Sequence, residues 1–152
     1  MPQFQLFDLV RWIHIVAMAM GGGAAVVALL LSGLEDERED LRGLSASLWK
    51  LFIVWVIRIG FAVGVVLLVM QAHAGAHPFD ARYLLFKLPM AVLMLAVSEI
   101  TAPSLARARR GAALLVVLLF LLASFMAVNG EAFGRKFRPS APAQFTILPE
   151  AK

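Results

Sequence analysis

Four apolar runs dominate the chain and are separated by short polar or charged segments. The runs extend over residues 10–31, 51–70, 83–102 and 111–128. A helix needs roughly 20 apolar residues to cross a hydrocarbon core about 30 Å thick, and each run is close to that length. The pattern predicts an all-α integral membrane protein, a four-helix antiparallel bundle. Because the number of crossings is even, we expect both termini on the same side of the membrane.

The domain organisation follows from the same pattern. We expect one transmembrane domain over residues 1–130 and an extramembrane C-terminal tail over 131–152, where prolines and mixed polarity favour irregular structure. The first run is too long for the apolar part of a secretory signal peptide, so it is interpreted as a membrane helix.

Composition and charge narrow the class of protein further. Hydrophobic residues make up 61% of the chain and charged residues 16%, which is too apolar for a soluble domain. The net charge of +4 comes from basic residues that flank the apolar runs, so we expect contact with lipid headgroups and no nucleic-acid binding. The absence of cysteine excludes disulfides within the chain and thiolate-held metal or iron–sulfur clusters.

The short loop SLARARR indicates an orientation. It carries Arg107, Arg109 and Arg110 without an acidic residue, and cytoplasmic loops of membrane proteins are enriched in such charges. We therefore expect loops 32–50 and 103–110 in the cytoplasm, with the protein in a bacterial inner membrane. The acidic stretch 35–40 is predicted to be solvated or to form a short helical extension.

Four ionisable residues lie within the predicted spans, namely His14, Arg58, Lys87 and Glu99. Such groups are costly in a bilayer and need partners. His14 and Lys87 are each about four residues into runs that start from the same side, which places them in one layer. Arg58 and Glu99 lie nearer the other side and are predicted to form an interhelical ion pair. Alternatively, His14 is a structural imidazole bonded to a neighbouring carbonyl or hydroxyl, and Lys87 extends its ammonium to the membrane surface.

The pairing of His14 with Lys87 suggests a cofactor site. A neutral imidazole and a neutral amine on opposite sides of a gap can ligate the iron of a haem. Met18, Gly21 and Met90 continue the same helix faces, where small and flexible side chains suit a flat macrocycle. The GGG cluster of the first run, with Gly60 and Gly64 of the GFAVG segment, is equally what plain helix packing would use.

Other residues offer alternatives or additions to this site. His73 and His77 lie in the loop that follows the second run, and either could replace Lys87 as second iron ligand or join a metal site. Arg58 or Arg82 could contact a carboxylate of a porphyrin.

Two short motifs resemble a known family. Trp12-x-His14 leads into a glycine cluster, and the third run opens as YLLFKL around Lys87. This resembles the membrane core of HemJ-type protoporphyrinogen IX oxidases and of CopD-like copper-resistance proteins. The resemblance covers about residues 11–128, although the family's proline near the start of the second helix is missing here. It implies that His14 and Lys87 are essential residues and axial ligands of haem b, and it matches Arg58 to a basic residue of the family's second helix.

The expected function is therefore that of a haem b-binding membrane redox protein. The resemblance implies oxidation of protoporphyrinogen IX to protoporphyrin IX, with electrons passed to a quinone. Two alternatives belong to other classes: a non-catalytic subunit of a larger membrane complex, or a copper or small-solute permease that uses His14, His73 and His77. The expected partners are membrane lipid, a porphyrin, a quinone, and either further copies of the chain or a partner membrane subunit.

Overall fold

The computed structural model describes residues 6–73 and 81–129, and all regular structure in these ranges is helical. Side chains are described for these ranges except at 71–73 and 81–84. The α-helices are α1 (Leu6–Leu34), α2 (Leu44–Leu48), α3 (Val54–His73), α4 (Ala81–Leu105) and α5 (Gly111–Val128). A π-helical segment, Trp49–Ile53, joins α2 to α3, so that the chain is helical from residue 44 to 73. Four helical stretches are long and apolar enough to cross a membrane, which confirms the prediction of an all-α, multi-pass membrane protein.

The helices contain the predicted apolar runs and in most cases extend beyond them. Helix α1 begins four residues before the predicted start at residue 10 and ends at Leu34, three residues after the predicted end. Helix α4 runs from Ala81 to Leu105 and includes Pro103. Polar side chains can be solvated at the membrane surface while the backbone continues as a helix, so hydropathy alone underestimates helix length. Helix α5 has the predicted bounds.

The long helices contact one another in a ring. Helix α1 packs most extensively on α3, and α4 packs on α5, while contacts of α1 with α5 and of α3 with α4 close the ring. Helices α1 and α4, which carry His14 and Lys87, therefore face each other across its centre. The side chains of Ala25, Trp49 and Val116 are fully buried between the helices. Outward positions on all four long helices are apolar and exposed, as expected for surfaces that face lipid.

Polar contacts join the loops at one end of the ring. The Arg110 Nη2 group donates a hydrogen bond of 2.7 Å to the Ser32 carbonyl near the end of α1, and it also forms an ion pair with Asp36. The backbone N–H of Ser45 in α2 donates to Glu35 Oε1 at 2.5 Å. Residues 35–37 of the acidic stretch form a turn after α1, and Glu39–Leu41 form a short 3-10 helix in which Glu39 and Asp40 are exposed. These contacts place the 35–43 and 106–110 loops at the same end of the molecule.

Candidate histidine site between helices α1 and α3

The imidazole of His14 is half-buried and contacts the backbone of α3. Its Nδ1 atom lies 2.8 Å from the carbonyl oxygen of Gly60. A carbonyl can only accept a hydrogen bond, so Nδ1 must carry the proton. In the neutral imidazole the proton-free nitrogen is then Nε2, whose lone pair is available to a metal ion.

Two glycines of α3 make this contact possible. A Cβ atom added at Gly64 would lie 3.0 Å from His14 Cε1, so no larger residue fits beneath the ring without displacement. A Cβ added at Gly60 would lie 3.3 Å from Met18 Sδ and 3.7 Å from Ala17 Cβ. The GFAVG segment was expected to serve helix packing, but its link to His14 was not predicted. The available signal was the four-residue spacing of the glycines, which places both on one helix face.

Lys87 projects from α4, on the other side of the ring from α1. It is close enough to His14 for the charges of the two side chains to interact. Lys87 is itself exposed, and the ligation of a haem iron by His14 and Lys87 stays a prediction.

The predicted floor for a macrocycle has a different role in this structure. A Cβ atom at Gly21 would lie 3.2 Å from Phe120 Cζ and 3.3 Å from Val56 Cγ1, so side chains of α5 and α3 already cover this position. Met18 packs on Gly60, and Met90 is buried in the core. Met18, Gly21 and Met90 therefore pack helix against helix in this structure, and their predicted contact with a macrocycle stays a prediction. Spacing along α1 identified the shared face but not the side chains that fill it.

A shallow groove lies between α1 and α3 on a neighbouring face. Its volume is about 200 Å³, below the 300–1,000 Å³ usual for small-molecule pockets. The lining is entirely apolar and comprises Trp12, Ile13, Val16, Ala17, Met20, Val56 and Ile59. With no polar group to orient a substrate, this groove suits a lipid acyl chain better than a reacting molecule.

Arg58 and Glu99 form the predicted interhelical ion pair. The Nε and Nη2 groups of Arg58 donate to Oε1 and Oε2 of Glu99, each at 2.8 Å, in a two-pronged arrangement. The guanidinium carbon also lies 4.9 Å from the ring centroid of Trp55, a cation–π contact. The ion-pair prediction is confirmed. The predicted contact of Arg58 with a porphyrin carboxylate would compete with Glu99 for the same guanidinium.

The other predicted site residues cannot be placed. The side chains of His73 and Arg82, and the whole of His77, lie outside what the structure describes, and their predicted roles stay predictions. Within residues 6–73 and 81–129, no three His, Asp or Glu side chains come together as a metal site.

Within residues 6–73 and 81–129, the fold has four helical stretches long and apolar enough to cross a membrane, and the site is a half-buried histidine bonded to the backbone of a neighbouring helix. Comparison with family models, curated proteins and solved structures finds no match to this chain. The function must therefore be inferred from the chemistry of the site.

Proposed function

We propose that the protein is a haem b-binding membrane redox protein, built as an antiparallel four-helix bundle with both termini on the same side. One observation carries the proposal, the hydrogen bond from His14 Nδ1 to the Gly60 carbonyl. Histidines that ligate metals usually donate their other ring N–H to a carbonyl or carboxylate, which fixes the tautomer and orients the ring. We propose that this bond orients the ring and leaves the Nε2 atom of His14 as the ligand of the haem iron.

Lys87 is the proposed second ligand. It lies across the ring of helices from His14 and within range of its charge. Its amine would have to be neutral to donate a lone pair to iron. A bound haem would supply reversible electron transfer. The chain itself orients the imidazole through Gly60 and seats it against Gly64.

The proposed activity is oxidation of protoporphyrinogen IX to protoporphyrin IX, with electrons passed to a quinone. It is supported by the resemblance of the Trp12-x-His14 and Lys87 segments to HemJ-type and CopD-like proteins. We place the protein in a bacterial inner membrane, with loops 32–50 and 103–110 in the cytoplasm. The contact of Arg110 with Asp36 supports placing both loops on one side.

Absorption spectroscopy tests this proposal. We expect the protein, purified after expression with haem supplied, to show a Soret band and an α band that appears on reduction with dithionite. H14A should abolish haem binding, because it removes the oriented ligand. K87M should lower haem occupancy or shift the bands, because it replaces a nitrogen ligand with a thioether or an open position.

Two matched variants control for general damage. I15A changes a lipid-facing neighbour of His14, and K50M removes an exposed lysine distant from it; both should keep the wild-type spectrum. A wild-type protein without a Soret band, or an H14A variant with an unchanged spectrum, would overturn the proposal. A haem-free chain that co-purifies with another membrane protein would favour an accessory subunit, and bound copper would favour a permease.

A further inference from the structure

The Arg58–Glu99 pair faces outward from the ring of helices. The two side chains are 43% and 42% exposed, although both belong to membrane-spanning helices. Ionisable residues in membrane spans almost always face the protein interior or a water-filled cavity. The outward position of this pair therefore requires a partner on the α3–α4 face.

The face is polar at its centre and apolar around it. Arg58 has five N–H donors, of which Glu99 accepts two, and no described residue accepts from Nη1. The carboxylate of Glu99 likewise has unused acceptor positions. In hydrocarbon, each unsatisfied polar group costs several kcal/mol. The surrounding exposed residues are apolar: Leu51, Trp55, Ala62, Val69, Val92, Ala96 and Ile100.

We propose that this α3–α4 face is the contact surface for a second copy of the chain. A two-fold axis beside the pair would bring Arg58 of each copy to Glu99 of the other, because a two-fold interface uses the same patch twice. The unused donors would then meet the unused acceptors, and the four charges would sum to zero. A lipid phosphate fits less well, since it would meet the carboxylate of Glu99 as well as the guanidinium.

Small residues beside the charges suit such a contact. Ala62 lies one turn after Arg58 in α3, and Ala96 lies one turn before Glu99 in α4; both are exposed. Small side chains allow membrane helices to approach closely, and interhelical hydrogen bonds then hold them together. The inference does not depend on haem binding, because His14 and Lys87 take no part in it.

Cysteine cross-linking tests the surface directly, because the natural chain contains no cysteine. A62C and A96C place a thiol on the proposed face, and V27C places one on an exposed position of α1 as the matched control. Each purified variant is reconstituted in liposomes at high lipid excess and treated with a short bis-maleimide. We expect A62C or A96C to yield several-fold more cross-linked dimer than V27C. Equal yields from all three variants would overturn the proposal.

Charge reversal then tests the pairing between copies. R58E and E99R chains, each carrying A62C and a different tag, are expressed together and cross-linked in the membrane. In each of these chains the side chains at positions 58 and 99 carry like charges, negative in R58E and positive in E99R. Mixed dimers should therefore form several-fold more often than random pairing predicts. A single chain carrying both R58E and E99R restores opposite charges and should cross-link like the A62C protein. Random pairing of the two tagged chains would mean that lipid or another protein covers the pair, and would overturn the proposal.

Discussion

At the scale of single residues, the contact of His14 with α3 depends on the absence of a side chain at Gly64. We predict that G64A lowers the free energy of unfolding by about 1–3 kcal/mol, the usual cost of an extra methyl group in a packed site. The added Cβ would lie 3.0 Å from His14 Cε1, so the imidazole must move and weaken its bond to Gly60. Thermal unfolding in detergent measures the effect, and the Soret band of haem-loaded protein should weaken with it.

G23A is the matched control for this change. No atom lies within 4 Å of a Cβ added at Gly23, which is exposed on α1. Alanine favours a helix over glycine by about 0.5–1 kcal/mol, so G23A should be neutral or slightly stabilising. Equal unfolding temperatures of G64A and G23A would contradict the prediction that the imidazole of His14 packs closely on α3.

Some contacts of single residues could be predicted from the sequence and others could not. The Arg58–Glu99 pair could be predicted because both side chains are charged and their depths along the spans match. The partner of His14 could not be predicted, because it is a backbone carbonyl and every residue of α3 has one. The contact of Gly21 with Phe120 could not be predicted for a related reason: Phe120 comes from α5, and spacing within α1 says nothing about a distant helix.

At the scale of helices, the π-helical segment Trp49–Ile53 joins α2 to α3 and contacts α4. Trp49 is fully buried, and its Nε1–H donates a 3.0 Å hydrogen bond to the Ser98 carbonyl of α4. A π-helical turn contains an extra residue, so it changes the direction in which the following side chains point. The apolar run that begins within this segment predicted a helix from residue 51, but its hydropathy could not reveal the altered turn.

We predict that W49F lowers the free energy of unfolding by about 1–2 kcal/mol, because phenylalanine retains much of the apolar contact but cannot donate to Ser98. W12F is the control, since Trp12 is 60% exposed and the same change there should have little effect. Chemical or thermal unfolding of both variants in one detergent checks the prediction. Equal effects of W49F and W12F would argue against an energetically important contact of Trp49 with α4.

At the scale of the whole molecule, the ring of helices explains why the candidate site combines distant parts of the chain. Residues 14 and 87 lie on helices that do not neighbour each other in the ring, and α3 supplies the glycines against which His14 and Met18 pack. The number of spans could be predicted from hydropathy, because each span is an independent apolar run. The order of helices around the ring could not, because their outward faces are all similarly apolar and carry little information about neighbours.

The contacts at one end of the ring predict which loops share a side of the membrane. Arg110 binds both the Ser32 carbonyl and Asp36, so the 35–43 and 106–110 loops must lie together, whereas Asn129 follows the far end of α5. The natural chain has no cysteine, so single cysteines can be labelled selectively. E37C and A106C should be accessible to a membrane-impermeant maleimide from the same side of the membrane, and N129C from the other side. In the proposed orientation the two loops are cytoplasmic. The maleimide should then label N129C in intact cells, and it should label E37C and A106C only after the cells are permeabilised. Labelling of E37C and A106C in intact cells would invert the proposed orientation, and different behaviour of these two variants would contradict the fold itself.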